Sequence, residues 1–167
     1  IVSEMIGVDD DHKPVELAKG VYWLGVIDWN LRDFHGFATP GGGTYNSYLI
    51  VDDKIALIDT VKAQFAGELI RSIKRIIDPS KIDYVIENHV EMDHSSSLPA
   101  IMRIAPQAKV FATKRGKAGI CNYYKAVGCD EWNFEVVETG SEVSLGKKTL
   151  MFIETIMLHW PDSMHTY

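Results

Sequence analysis

At 167 residues and 18.8 kDa the chain has the size of one domain and can bury a sizeable core. Its 46% hydrophobic and 24% charged residues are the balance of an ordinary globular protein, and no run of about 18 apolar residues suggests a membrane span. The formal charge is −6, and basic residues are scattered apart from pairs such as Lys114-Arg115 and Lys147-Lys148, which argues against nucleic acid as the main partner.

Residues 1–12 lack periodicity and carry the acidic run Asp9-Asp10-Asp11, so they are expected to be a disordered leader or a cloning scar; Ile1-Val2-Ser3-Glu4-Met5 does not read as a secretory signal. Residues 21–27, rich in β-branched and aromatic side chains, predict a strand. The segment 28–44 reads as a loop, with Thr39-Pro40-Gly41-Gly42-Gly43-Thr44 as its turn. Residues 45–51 and 54–59 predict two strands of a hairpin around Asp52-Asp53. Helical spacing of Phe65, Leu69, Ile70, Ile73, Ile76 and Ile77 predicts a helix over 63–77, ended by Asp78-Pro79. A short apolar strand over 82–86 follows, then a helix over 96–104, a strand over 109–113 and a helix over 115–127 stopped by Gly128. Strands over 134–138 and 148–155 complete the pattern. Hairpins first and β-α-β-α-β afterwards predict an α/β layered domain with a mixed sheet. Cys121 and Cys129 are too few for a disulfide framework and spaced unlike a zinc ribbon, so both are expected to be free thiols in a reducing cytoplasm.

The densest chemistry lies in His89-Val90-Glu91-Met92-Asp93-His94, directly after an apolar strand. Extended backbone projects His89, Glu91 and Asp93 to one side, and a helix beginning near Asp93 would swing Asp93 and His94 toward a second centre. Imidazoles and carboxylates gathered this closely predict a binuclear metal loop. No thiolate accompanies them, which disfavours iron–sulfur clusters and structural zinc. Imidazole with carboxylate suits iron, manganese or catalytic zinc, and Glu91, a hard, negatively charged donor suited to a metal that reaches the 3+ state, points among them to iron. His159 follows the apolar strand Leu150-Met151-Phe152-Ile153 and precedes Pro161, a position matching that of His89, and is a further candidate ligand.

These residues carry a resemblance. Leu57-Ile58-Asp59-Thr60, the His89–His94 loop and the distant His159 resemble the metallo-β-lactamase superfamily. Glu91 where a histidine is usual, with Leu158-His159-Trp160-Pro161-Asp162-Ser163-Met164, resembles the flavodiiron proteins, as do Val26-Ile27-Asp28-Trp29-Asn30 and Asp33-Phe34-His35-Gly36. The resemblance runs from about Lys13 to Tyr167. It implies a metallo-β-lactamase-like αββα sandwich with a non-haem diiron site, residues 13–167 being its N-terminal part. It implies reduction of dioxygen to water or of nitric oxide to nitrous oxide, in the cytoplasm, with electrons from FMN and a rubredoxin-like donor.

On the same basis His89, Glu91 and His159 hold one iron, and Asp93 and His94 contribute to the other. Asp59 lies beneath the site, although from its position it could equally cap a helix starting near Val61. His35 is implied on the substrate side as a pocket or proton-supplying residue, with a plain surface histidine as the alternative. Trp160 is implied near the FMN of a partner subunit, with a core tryptophan as the alternative. The implied assembly is a homo-oligomer, a head-to-tail dimer in the family, or pairing with a complementary C-terminal chain.

The family's bridging aspartate, its last histidine and its flavodoxin-like FMN domain fall beyond Tyr167, so an inactive fragment with open sheet edges is a rival expectation. Asp162 and His165 are the late residues that would have to substitute. Two further rivals are a zinc hydrolase using metal-bound hydroxide, against which Glu91 argues, and an FMN-free diiron sensor that binds oxygen reversibly.

Overall fold

The computed structural model describes residues 13–167, so the expected leader over residues 1–12 lies outside the described residues. β1 (Val15–Ala18) and β2 (Val21–Trp23) form an antiparallel pair, joined through Gly20 at φ 73°. An excursion follows, built from β3 (Val26–Asp28), β4 (Asp33–Phe34), β5 (Phe37–Ala38) and β6 (Gly43–Tyr45), in which β3 pairs with β6 and β4 with β5. The expected hairpin is present as β7 (Tyr48–Val51) and β8 (Ile55–Ile58), with Leu49 opposite Leu57. Then come α1 (Ala66–Lys74), β9 (Tyr84–Ile86), α2 (Met92–Ser95), α3 (Leu98–Ile104), β10 (Lys109–Ala112), α4 (Lys114–Tyr124) and β11 (Asn133–Val136). β12 (Glu142–Ser144), β13 (Thr149–Glu154) and β14 (Met164–Thr166) close the chain.

The main sheet has seven strands in the order β1-β2-β7-β8-β9-β10-β11, antiparallel through β8 and parallel from β8 onward. β12, β13 and β14 form a second, antiparallel sheet. Alternation along the central strands divides the core. Leu57, Val85 and Val110 face Leu69, Ile73, Leu98, Ile101 and Ile120 of the helices. Ala56, Ile86 and Phe111 face Leu150, Phe152 and Met164 of the second sheet. Each fully buried aliphatic side chain contributes roughly 1.5–3 kcal/mol through its removal from water. Helices, main sheet and second sheet therefore stack as successive layers, the α/β arrangement expected for the N-terminal part of an αββα sandwich.

Several expected elements differ in detail. The strand over 21–27 is two strands, because the chain changes partners at Leu24 and Gly25: Trp23 pairs with Tyr48 and Val26 with Tyr45. A Cβ on Gly25 would lie 2.5 Å from the Tyr45 carbonyl oxygen, so this crossing requires glycine. The helix over 63–77 begins as a 3₁₀ turn (Ala63–Phe65) and its α-helical part ends at Lys74. The helix over 96–104 is preceded by the separate turn α2, and α3 starts beside Pro99. The loop over 28–44 contains the short strands β4 and β5. Among the described residues, no helix is long and apolar enough to cross a membrane.

Candidate metal centre

The candidate residues leave the sheet where parallel strands end, the usual place for sites in such sheets. After β8, Asp59 adopts φ 53°, an uncommon value for a residue with a side chain. Its backbone is fixed by its own N–H donating to the Ile86 carbonyl at 2.7 Å and by the Ser47 hydroxyl donating to its carbonyl at 2.8 Å. Its carboxylate accepts from the Asn88 amide N–H at 2.6 Å and lies 3.1 Å from His94 Nδ1. Asp59 therefore supports the loop after β9 and does not cap a helix; the 3₁₀ turn there starts after Lys62.

After β9 the chain bends at Asn88 and leaves the sheet, and Glu91 opens α2 with φ −61° and ψ 149°. Its carbonyl accepts from His94 and Ser95 N–H at 2.9 Å, while its side chain makes no cap and is free to turn to the imidazoles. Glu91 Oε2 lies 3.2 Å from His89 Nε2 and 3.5 Å from His159 Nε2. His35, at φ 53° on the β4–β5 turn, contacts the other oxygen, Oε1, through its Nε2. The donor atoms of His89, Glu91 and His159 all lie within 4.8 Å of one another. Asp93 does not continue the alternation, because α2 begins at Met92; it lies beside His94, with Oδ2 3.6 Å from His94 Nε2. Trp160 is partly exposed and meets the His89 ring edge-on at 5.3 Å. His165 is exposed on β14.

Asp162 has a role the sequence did not disclose. It is buried, and its Oδ2 lies 2.9 Å from His89 Nδ1 and accepts from the Val90 N–H at 2.8 Å. Its carbonyl accepts from Thr113 Oγ1 at 2.9 Å, and that same hydroxyl caps α4 by accepting from Gly116 N–H at 3.0 Å. With this carboxylate engaged on His89, Asp162 is not placed as a substitute ligand. Glu87, just ahead of the loop, was also missed. It is buried with neither carboxyl oxygen hydrogen-bonded, and burial, then the charge of Asp59, pushes its pKa well above the ordinary value.

Burial pushes the His89 imidazole down, but its hydrogen bond and charge pairing with Asp162 and its contact with Glu91 outweigh this and raise its pKa. Burial likewise lowers His94, yet Asp59, Asp93 and Glu91 raise it to about 9. Burial pushes Glu91 up, but His89, His35 and His159 together hold it below the usual carboxylate range. Carboxylates thus draw protons onto imidazoles at the point where the donor atoms converge.

A resident cation fits this donor set. His89 and His94 each engage a carboxylate through Nδ1, the arrangement that orients metal-binding histidines, which leaves His89 Nε2 toward Glu91 and His94 Nε2 beside Asp93. Asp93 Oδ1 is buried without a hydrogen-bond partner, and Glu91 Oε2 sits between two imidazole nitrogens. A cation accepting these lone pairs would replace protons held there.

The model of the ODP family beta lactamases matches residues 44–167, which contain His89, Glu91, Asp93, His94 and His159. The chain belongs to this family. The ODP-family chain is 51% identical over 157 residues to a nitric oxide reductase of Moorella thermoacetica, a match spanning 93% of this chain and 39% of the relative. It is 45% identical over 150 residues to the rubredoxin-oxygen oxidoreductase of Megalodesulfovibrio gigas, spanning 89% of this chain and 37% of the relative. Among solved structures it is similar to the flavodiiron protein of Giardia intestinalis, with TM-score 0.87 and 39% identity over 93% of this chain and 37% of that one. The ODP-family chain thus spans about two fifths of the length of the relatives it matches.

Proposed function

We propose that this ODP-family domain is the metal-holding part of an oxidoreductase that reduces dioxygen to water or nitric oxide to nitrous oxide at a non-haem diiron site. The observation that carries the reading is the Glu91 carboxylate set between His89 and His159, a donor set richer in negative charge than one of imidazoles alone. Relatives named nitric oxide reductase and rubredoxin-oxygen oxidoreductase support it. His89, Glu91 and His159 would hold one iron, and Asp93 with His94 would contribute to the other. Iron bound there would pass electrons from the external donor to the gas. Asp162 and Asp59 hold the Nδ1 sides of His89 and His94, which would leave their Nε2 atoms for the metals. His35 stands over Glu91 on the open side, where a half-exposed imidazole can hand a proton from solvent to a substrate.

FMN and a rubredoxin-type donor are the proposed source of electrons, a choice supported by the names of relatives such as the flavorubredoxin of Salmonella arizonae. Trp160, beside His89 and partly exposed, is the proposed flank for that flavin in a head-to-tail homodimer. A reducing cytoplasm is the proposed setting, in which Cys121 and Cys129, their Sγ atoms 2.8 Å apart, would stay thiols.

The test is gas consumption by the chain loaded anaerobically with ferrous iron and supplied with a chemical reductant. Consumption of dioxygen or nitric oxide that requires iron and is lost in Glu91→Ala is expected. Hydrolysis of a β-lactam or ester by the zinc-loaded chain, with no gas consumption by the iron-loaded one, would overturn the reading. A stable coloured oxygen adduct without turnover would overturn it in favour of a sensor.

A further inference from the structure

The excursion between Leu24 and Tyr45 carries His35 to Glu91, yet little apolar burial fixes it there. Asp33, His35, Gly36, Phe37 and Ala38 are all exposed, and the β4–β5 ladder joins Asp33 to Ala38 and Phe34 to Phe37. A hairpin this short is marginal without anchoring. Phe34 is the half-buried member, and its ring meets that of His35 edge-on at 4.4 Å.

On its other side Phe34 faces Lys62. The Lys62 ammonium lies 5.1 Å from the centroid of the Phe34 ring and 5.0 Å from that of Tyr45, within reach of both π faces. Tyr45 is a fixed wall: it is buried, its hydroxyl donates to Asp28 Oδ2 at 2.9 Å, and its ring rests 5.7 Å from that of Phe65. The backbone of Lys62 is fixed as well, its carbonyl accepting from Phe65 N–H at 2.9 Å and from Ser97 Oγ at 3.1 Å. Besides the His35–Glu91 contact itself, the exposed hairpin is therefore tied to the buried scaffold by one cation shared by two rings.

We infer that Lys62 is a positioning residue whose ammonium, shared by the faces of Phe34 and Tyr45, docks the β4–β5 hairpin and so holds His35 against Glu91. The inference rests on reading His35 and Glu91 as the open side of the metal centre. Lys62 touches neither substrate nor metal; it acts through Phe34. Arginine keeps a cation able to lie on aromatic faces, whereas methionine keeps length and apolar bulk without the charge.

The experiment is hydrogen–deuterium exchange on the metal-free full chain, comparing Lys62→Met and Lys62→Arg with the parent. Exchange at residues 33–38 is expected to be about fivefold faster in Lys62→Met and within about twofold of the parent in Lys62→Arg, with β7 and β8 unchanged in both. Unchanged exchange in Lys62→Met, or Lys62→Arg as fast as Lys62→Met, would overturn the inference. Gas consumption by the iron-loaded chain gives the second arm. Lys62→Met and His35→Ala are expected to slow it by similar factors and, combined, no further than either alone; independent, multiplying losses would overturn the link to His35. If the iron-loaded parent consumes neither gas, the proposed reaction fails, while the exchange result still decides whether Lys62 docks the hairpin.

Discussion

His89 is prepared for a cation by residues far from it in sequence. Its Nδ1 faces Asp162, separated by 73 positions, and the same carboxylate holds the Val90 amide, so ring and backbone are oriented together. Asp162→Asn keeps the shape and removes the charge. It is expected to weaken iron binding by roughly tenfold to a hundredfold, read by chelator competition, with little change in secondary structure. His94 gives a pH signature. Its pKa, raised from 6.5 to about 9, means that its pairing with Asp59 stabilises the metal-free chain fully below about pH 6.5 and is lost as the pH rises through about 9. The melting temperature of the metal-free chain is expected to fall across that window, and His94→Gln to flatten the fall. Iron loading should run the other way, strengthening with pH, because ligation needs the neutral ring. The sequence singled out His89, Glu91, Asp93, His94 and His159 as candidates because ligand types crowd into a short loop and recur at a matching strand end, and the donor atoms of His89, Glu91 and His159 do converge. The hold of Asp162 on His89 and the burial of Glu87 stayed hidden, since a carboxylate beside Pro161 or just past an apolar strand carries no local mark of its surroundings.

At the scale of elements, Thr113 joins a helix to the site. Its hydroxyl caps α4 through Gly116 N–H and also donates to the Asp162 carbonyl. Thr113→Val removes both bonds at nearly constant volume. It is expected to cost about 1 kcal/mol in denaturant unfolding through the lost cap, and to lower iron affinity through a looser Asp162. Lost stability with unchanged iron affinity would show that the helix start and the site are uncoupled. The elements that sequence patterning identified are those with apolar periodicity: β7 with β8, the central parallel strands, and the helices that cover them. Those it missed or merged lack such a signal. β4 and β5 are nearly all exposed, and the break between β2 and β3 depends on Tyr45 crossing Gly25, a contact between distant residues.

At the scale of the whole molecule, the main sheet carries helices on one face and the second sheet on the other, and the candidate ligands gather where these layers meet. A cleft of about 640 Å³ opens there, lined by apolar residues of both sheets such as Ile58 and Met164 and floored by Asp59, His89 and His94. The sheets are tied at the far end by the Asp52 carboxylate, which accepts from the Lys147 and Lys148 amides at 2.9 and 2.8 Å. Layer order was legible from the sequence of hairpins followed by alternating strands and helices. The convergence of the β9 and β13–β14 loops was suggested by the matching strand-end positions of His89 and His159, while that of the His35 hairpin was legible only through family resemblance. The direct test of that convergence is anaerobic titration of the chain with ferrous iron, read by bound metal and by thermal stability. Saturable binding is expected, raising stability by about 2.7 kcal/mol at a hundredfold excess over Kd and weakened at least tenfold in both Glu91→Ala and His159→Ala. Absence of saturable binding, or binding indifferent to both substitutions, would contradict a metal held by His89, Glu91 and His159.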